Sequence, residues 1–138
     1  MYTFNNKTNT LLTSQKALNR IDQVVSLYDQ AIYCIKQTQN AILDKDFEKR
    51  YLSIKKTVFI IDALQLKSNL NINPEITNAL HDHYGSIYSL LSSIQEQHGL
   101  ETCDRIVDNL EVIRQSWEHL AEKTQTFQDP SLNSSNTP

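Results

Sequence analysis

LYDQAIYCIKQTQNAI, residues 27–42, places Tyr28, Ile32, Ile35 and Ile42 at intervals of four, three and seven. Such positions share one side of an α-helix, because about 3.6 residues complete a turn. Gln30, Lys36, Gln37 and Asn40 fall mostly elsewhere. Upstream, Ile21 and Val24/Val25 continue the same line. Asn19 offers a cap and Asp22 a first-turn carboxylate, so this helix is expected to open at Asn19. It should end near LDKD, Leu43 to Asp46, with a short helical turn from Thr13 or Ser14 before it.

Three further amphipathic segments follow. Residues 47–70 carry Phe47, Tyr51, Ile54, Val58 and Ile61, the expected core stripe of a second helix. NINPE then interrupts the chain. Asn73 suits a cap, Pro74 the first helical position, and Glu75 the positive end of the helix dipole. The third segment carries Ile76, Leu80, Tyr84, Ile87, Leu91 and Ile94; QHGL ends it, with Gly99 a candidate left-handed terminator. In the fourth, Cys103, Leu110 and Trp117 are seven apart, interleaved with Ile106/Val107, Ile113 and Leu120. Four helices of similar length with short connections predict an all-α, antiparallel up-down four-helix bundle over residues 19–123. Residues 1–18 form a partly disordered N-terminal arm in this reading. The Pro-bearing, aperiodic residues 124–138 form a disordered tail.

Composition narrows the function classes. The 138 residues support one domain. No apolar run approaches the ~18 residues of a membrane span. MYTFNNKTNT has no charged-then-apolar signal pattern, so a cytoplasmic protein is expected. Net charge is −3 with scattered Lys and Arg, which argues against a nucleic-acid surface. Two distant cysteines, Cys34 and Cys103, lie inside apolar patterns and read as reduced core residues. Two glycines leave no phosphate-cradling loop.

The second segment carries a surplus. At about 100° per residue, Leu52, Phe59, Ala63, Leu66 and Leu70 cluster well away from the Phe47–Ile61 stripe. Ile60 and Leu64 take yet another side. A peripheral bundle helix ordinarily buries one stripe about 100° wide. The extra row is therefore covered by Leu11, Leu12 and Leu18, or by a second copy, or it is a groove for a foreign amphipathic segment. Covering one Leu or Phe fully is worth roughly 1.5–3 kcal/mol, so several such residues could support useful affinity. Leu27 and Tyr88 also lie off their helices' main stripes and flank the candidate groove.

Other chemistry finds little support. His81 and His83 are two apart, on nearly opposite sides of a helix, and His98 and His119 have no partner at ligand spacing, so no metal or cofactor is expected. A histidine phosphotransfer domain is the rival from another class, but HDHYGSIY has no nearby lysine to hold a phosphate. Asp104, Asp108 and Glu111 follow the pattern of a solvated helix face, and no enzyme signature is present. A helical dimeric scaffold or adaptor remains the other alternative, with the surplus row as its self-interface.

The pattern resembles the flagellar export chaperones called FliS. The resemblance lies in LYDQAI at 27–32, AILDKDFEKR at 41–50 and KKTVFIIDALQLKSNLN at 55–71. It continues in ITNALHDHYGSIYSLL at 76–91 and IRQSWEHL at 113–120, with Trp117 at the position of a single characteristic tryptophan. The chain lacks the family's proline-bearing cap at Leu18-Asn19-Arg20-Ile21, and Gln30 stands where a glycine is usual. The resemblance implies a cytoplasmic, non-enzymatic chaperone, a monomer or weak homodimer. It would bind the C-terminal disordered segment of flagellin, prevent premature polymerisation and present its client to an export-gate protein. On that reading Leu52, Phe59, Ala63, Leu66 and Leu70, with Tyr88 and Leu27, are the partner-binding residues.

Overall fold

The computed structural model describes residues 5–68, 74–94 and 98–128, with side chains from residue 15 to residue 125 within those ranges. Four helices form an antiparallel bundle: α1 (Asn5–Leu43), α2 (Phe47–Lys67), α3 (Pro74–Ser93) and α4 (Gly99–Gln128). Each packs beside its neighbours in sequence, and α1 closes the ring against α4. The α1 seams with α2 and α4 are extensive; α3 packs more loosely.

α1 runs unbroken through Asn19, which corrects the expected helix start. Asn19 accepts a hydrogen bond from Gln15 one turn earlier, so its side chain serves the helix surface and caps nothing. No proline or glycine stands upstream to break the helix. α4 likewise runs past the expected boundary at Lys123 to Gln128. Pro130, two residues beyond, disfavours further helix. Asn73 and the tail from residue 129 lie outside the described residues.

A short device joins α1 to α2. Asp46 N–H donates to Ala41 O at 2.9 Å and Lys45 N–H to Ile42 O at 3.2 Å, the two bonds of a Schellman motif. Lys45 holds the left-handed position at φ 56°. Asp46 then caps α2, its Oδ1 accepting from Lys49 N–H at 3.0 Å. At the start of α4 the left-handed residue is His98, φ 69°, and not Gly99 as expected. Gly99 answers to crowding instead: a Cβ there would lie 2.8 Å from Ile94 O and 3.2 Å from the Ile42 side chain.

The core is built from Ile21, Val24, Tyr28 and Ile35 of α1, Tyr84, Ile87 and Leu91 of α3, and Cys103, Ile106, Leu110 and Trp117 of α4. α2 corrects the expected stripe. It buries Ser53, Thr57, Ile60, Ile61 and Leu64, whereas Phe47 and Tyr51 are exposed and Ile54 and Val58 only half-buried. The hydroxyls make this possible because each is satisfied locally. Thr57 Oγ1 donates to Ser53 O at 2.8 Å, and Ser53 Oγ to Arg50 O at 3.0 Å. Across the seam, Thr38 Oγ1 lies 2.7 Å from Ser53 Oγ. Ile76 and Leu120 are also exposed, at the outer ends of the α3 and α4 stripes.

Between α1, α2 and α3 runs a chain of buried hydroxyls. Tyr28 and Tyr84 approach to 3.0 Å, and Ser68 Oγ lies 2.7 Å from the Tyr84 hydroxyl. His83 Nε2 lies 3.3 Å from the Tyr28 hydroxyl. Burial first, then the neighbouring Tyr84, pushes the Tyr28 pKa well above its ordinary value.

Candidate functional site: an apolar groove on the α1–α2 seam

α2 buries its Ser53–Leu64 line, so the rows on either side of it meet different neighbours. At about 100° per residue, Leu52, Lys56, Phe59, Ala63 and Leu66 occupy the sector toward α1. Ile54, Val58 and Asp62 turn toward α3. The α1-side row is open: Leu52 is 54% exposed, Phe59 69% and Leu66 80%, while Ala63 is half-buried.

A groove runs along this seam. Toward the Asp44–Asp46 turn it is a cleft of about 350 Å³ between Tyr33, Cys34 and Gln37 of α1 and Leu52, Ser53 and Lys56 of α2. Further along it continues as a cleft of about 260 Å³ past Ser26, Asp29, Gln30 and Ile60. The two stretches share Tyr33, Cys34 and Lys56. Tyr33, 61% exposed, forms the α1 lip. Leu52 lines the groove; Phe59 and Leu66 continue its row along α2 at one-heptad spacing without lining either stretch. Cys34 is buried in the floor, where burial raises its pKa and the Lys56 charge partly offsets that. Such a thiol is not a reactive thiolate.

The structure brings Leu52, Phe59, Ala63 and Leu66 together on one side of α2. Leu70 lies outside the described residues, as do the side chains of Leu11 and Leu12; Leu18 is half-buried. Leu27 is half-buried and packed on the core. Tyr88 stands elsewhere, its hydroxyl donating to Asp62 across the α2–α3 seam. Burial, followed by that carboxylate, raises its pKa. Tyr33 and Lys56 escaped the sequence reading, although a signal was present. Antiparallel pairing about the Asp44–Asp46 turn sets residue 33 opposite residue 56, just as it sets Thr38 opposite Ser53.

On the far side of α1, Arg114 of α4 donates from Nε to Asp29 at 2.5 Å and pairs with Glu118 at 3.0 Å. Among the described residues no cluster of three or more His, Cys, Asp or Glu could hold a metal, and no helix is long and apolar enough to cross a membrane.

A four-helix bundle with an apolar groove open along one seam is thus the class of protein that fold and surface define. The family described as flagellar protein FliS matches residues 4–124, and the chain belongs to that family of flagellar export chaperones. It is a chaperone family and not an enzyme family. No curated protein and no solved structure matches the chain.

Proposed function

We propose that this protein is a cytoplasmic export chaperone that binds the C-terminal amphipathic segment of flagellin along the α1–α2 groove. The bound segment is kept from polymerising early and is presented to the flagellar export machinery. The observation that carries this reading is the exposure of Leu52, Phe59 and Leu66 in one heptad-spaced row on the α1 side of a helix that buries its Ser53–Leu64 line. Covering these side chains drives binding, with the ordering entropy of the client subtracted. Ala63 lets the client backbone approach between the larger side chains. Leu27 is assigned a flanking role; Leu70, outside the described residues, is assigned by its sequence spacing alone, and Tyr88, on the α2–α3 seam, takes no part. Family membership supports the flagellar setting.

The test is Phe59→Glu. Thermal unfolding should match the wild type, because the side chain is 69% exposed. Calorimetric binding to a C-terminal flagellin peptide should disappear. Retained binding, or unfolding caused by the substitution, would overturn the assignment of Phe59 to the binding row.

A further inference from the structure

The groove is apolar along its walls but not uniform along its length. From Ser26 to Gln37 its α1 wall spans about 16 Å at about 1.5 Å per residue, room for roughly three turns of a helix. At the turn end lie Asp46, Glu48 and Lys49, with Asp46 already accepting from the Lys49 backbone. At the other end lies Asp29, bound to Arg114. At the centre, where the two stretches meet, stands Lys56, opposite Tyr33. Lys56 is exposed and has no carboxylate partner among the described residues.

An apolar helix laid along this groove would strip water from the Lys56 ammonium without replacing it, which is costly. A carboxylate at the middle of the incoming face removes that cost. The same carboxylate in another register would meet Asp29, already paired with Arg114, or the turn end, where Lys49 stands beside Asp46 and Glu48. The unpaired ammonium at the centre therefore favours one placement over the others.

We propose that the α1–α2 groove receives a client helix of about three turns whose apolar face is interrupted near its middle by one Asp or Glu, and that Lys56 pairs with that carboxylate and sets the client's register. This rests on the chaperone reading above and names the chemistry of its client at one site. Lys56 is a specificity residue; apolar burial supplies most of the affinity.

The experiment uses the full chain and the C-terminal peptide of the flagellin encoded in the same genome, measured by calorimetry. Lys56→Glu should weaken binding about tenfold or more, since it sets like charges face to face. Lys56→Met, which keeps the apolar stem, should weaken it only a few-fold. Changing the acidic residues of the peptide one at a time to Lys should reveal one that weakens binding to the wild type and restores it to Lys56→Glu. Unchanged affinity in Lys56→Glu overturns the inference alone, because the ammonium then bends out to water. Absence of any restoring position overturns it equally. No binding of the peptide to the wild type removes the flagellin reading and the inference together. So does a stable dimer in light scattering that excludes the peptide. Should Lys56→Glu fail to fold, the Lys56→Met titration against the peptide series decides the same question.

Discussion

Lys45 adopts φ 56°, where a Cβ is crowded by the following carbonyl oxygen at a cost of about 1–2 kcal/mol. Glycine has no such penalty but loses about 0.5–1 kcal/mol more chain entropy on folding. Both Schellman bonds come from backbone N–H groups and survive the exchange. Lys45→Gly should therefore stabilise the protein by about 0.5–1 kcal/mol. Thermal melting should show a midpoint about 2–4 °C higher; an unchanged or lower midpoint would mean that the left-handed residue stores no strain. Gly99 teaches the complementary lesson. A glycine beside a helix end reads as a left-handed terminator, but here the adjacent His98 takes that conformation and Gly99 makes room for Ile94 O. Local sequence marks such a break; which residue absorbs it depends on what packs against it.

Among the elements, α2 is where the reading and the structure part. Scored by apolarity, its stripe is Phe47, Tyr51, Ile54, Val58 and Ile61; the structure turns the helix so that Ser53 and Thr57 face inward and Phe47 and Tyr51 outward. Small hydroxyls bonded to carbonyls in the preceding turn of their own helix can be buried cheaply, and their size lets α1 and α2 approach closely. The Phe47 ring is not idle, for the Arg50 guanidinium lies 5.1 Å from its centroid. The surplus row was still legible, because Leu52, Phe59 and Leu66 are separated by one heptad each and no rotation of the helix hides two rows in a single seam. The start of α2 depends on Asp46, which ends one helix and caps the next. Asp46→Ala should cost about 1 kcal/mol in chemical denaturation while leaving the slope unchanged. A loss within error would show that solvent satisfies the Lys49 amide equally well.

For the whole molecule, the bundle interior is joined across its diagonal by Tyr28 and Tyr84, with His83 against the same hydroxyl. Burial lowers the His83 pKa below its ordinary value. The unfolded chain therefore binds a proton on this residue more readily than the folded one, so stability rises with pH between the two values. The contribution is complete above about pH 6.5, the unfolded value. It is lost as pH falls from there through the lowered folded value. Melting temperature should drop on acidification in this window, and His83→Gln should lessen the drop. If the variant and the wild type lose stability in parallel, His83 is not the group responsible.

Periodicity, breakers and connection lengths in the linear chain were enough to determine four helices, their antiparallel order, the core lines of α1, α3 and α4, and the existence of one apolar row too many. These follow from spacing along a single helix, a property each segment carries within itself. Only the tertiary structure decided how α2 is rotated, and hence that Ser53 and Thr57 are inside, that Tyr88 faces the opposite seam, and that Tyr33 and Lys56 share a groove with Leu52. Rotation about a helix axis is set by how closely two surfaces pack and by which polar groups find partners there. Neither quantity belongs to one segment alone; both arise when α1 and α2 meet.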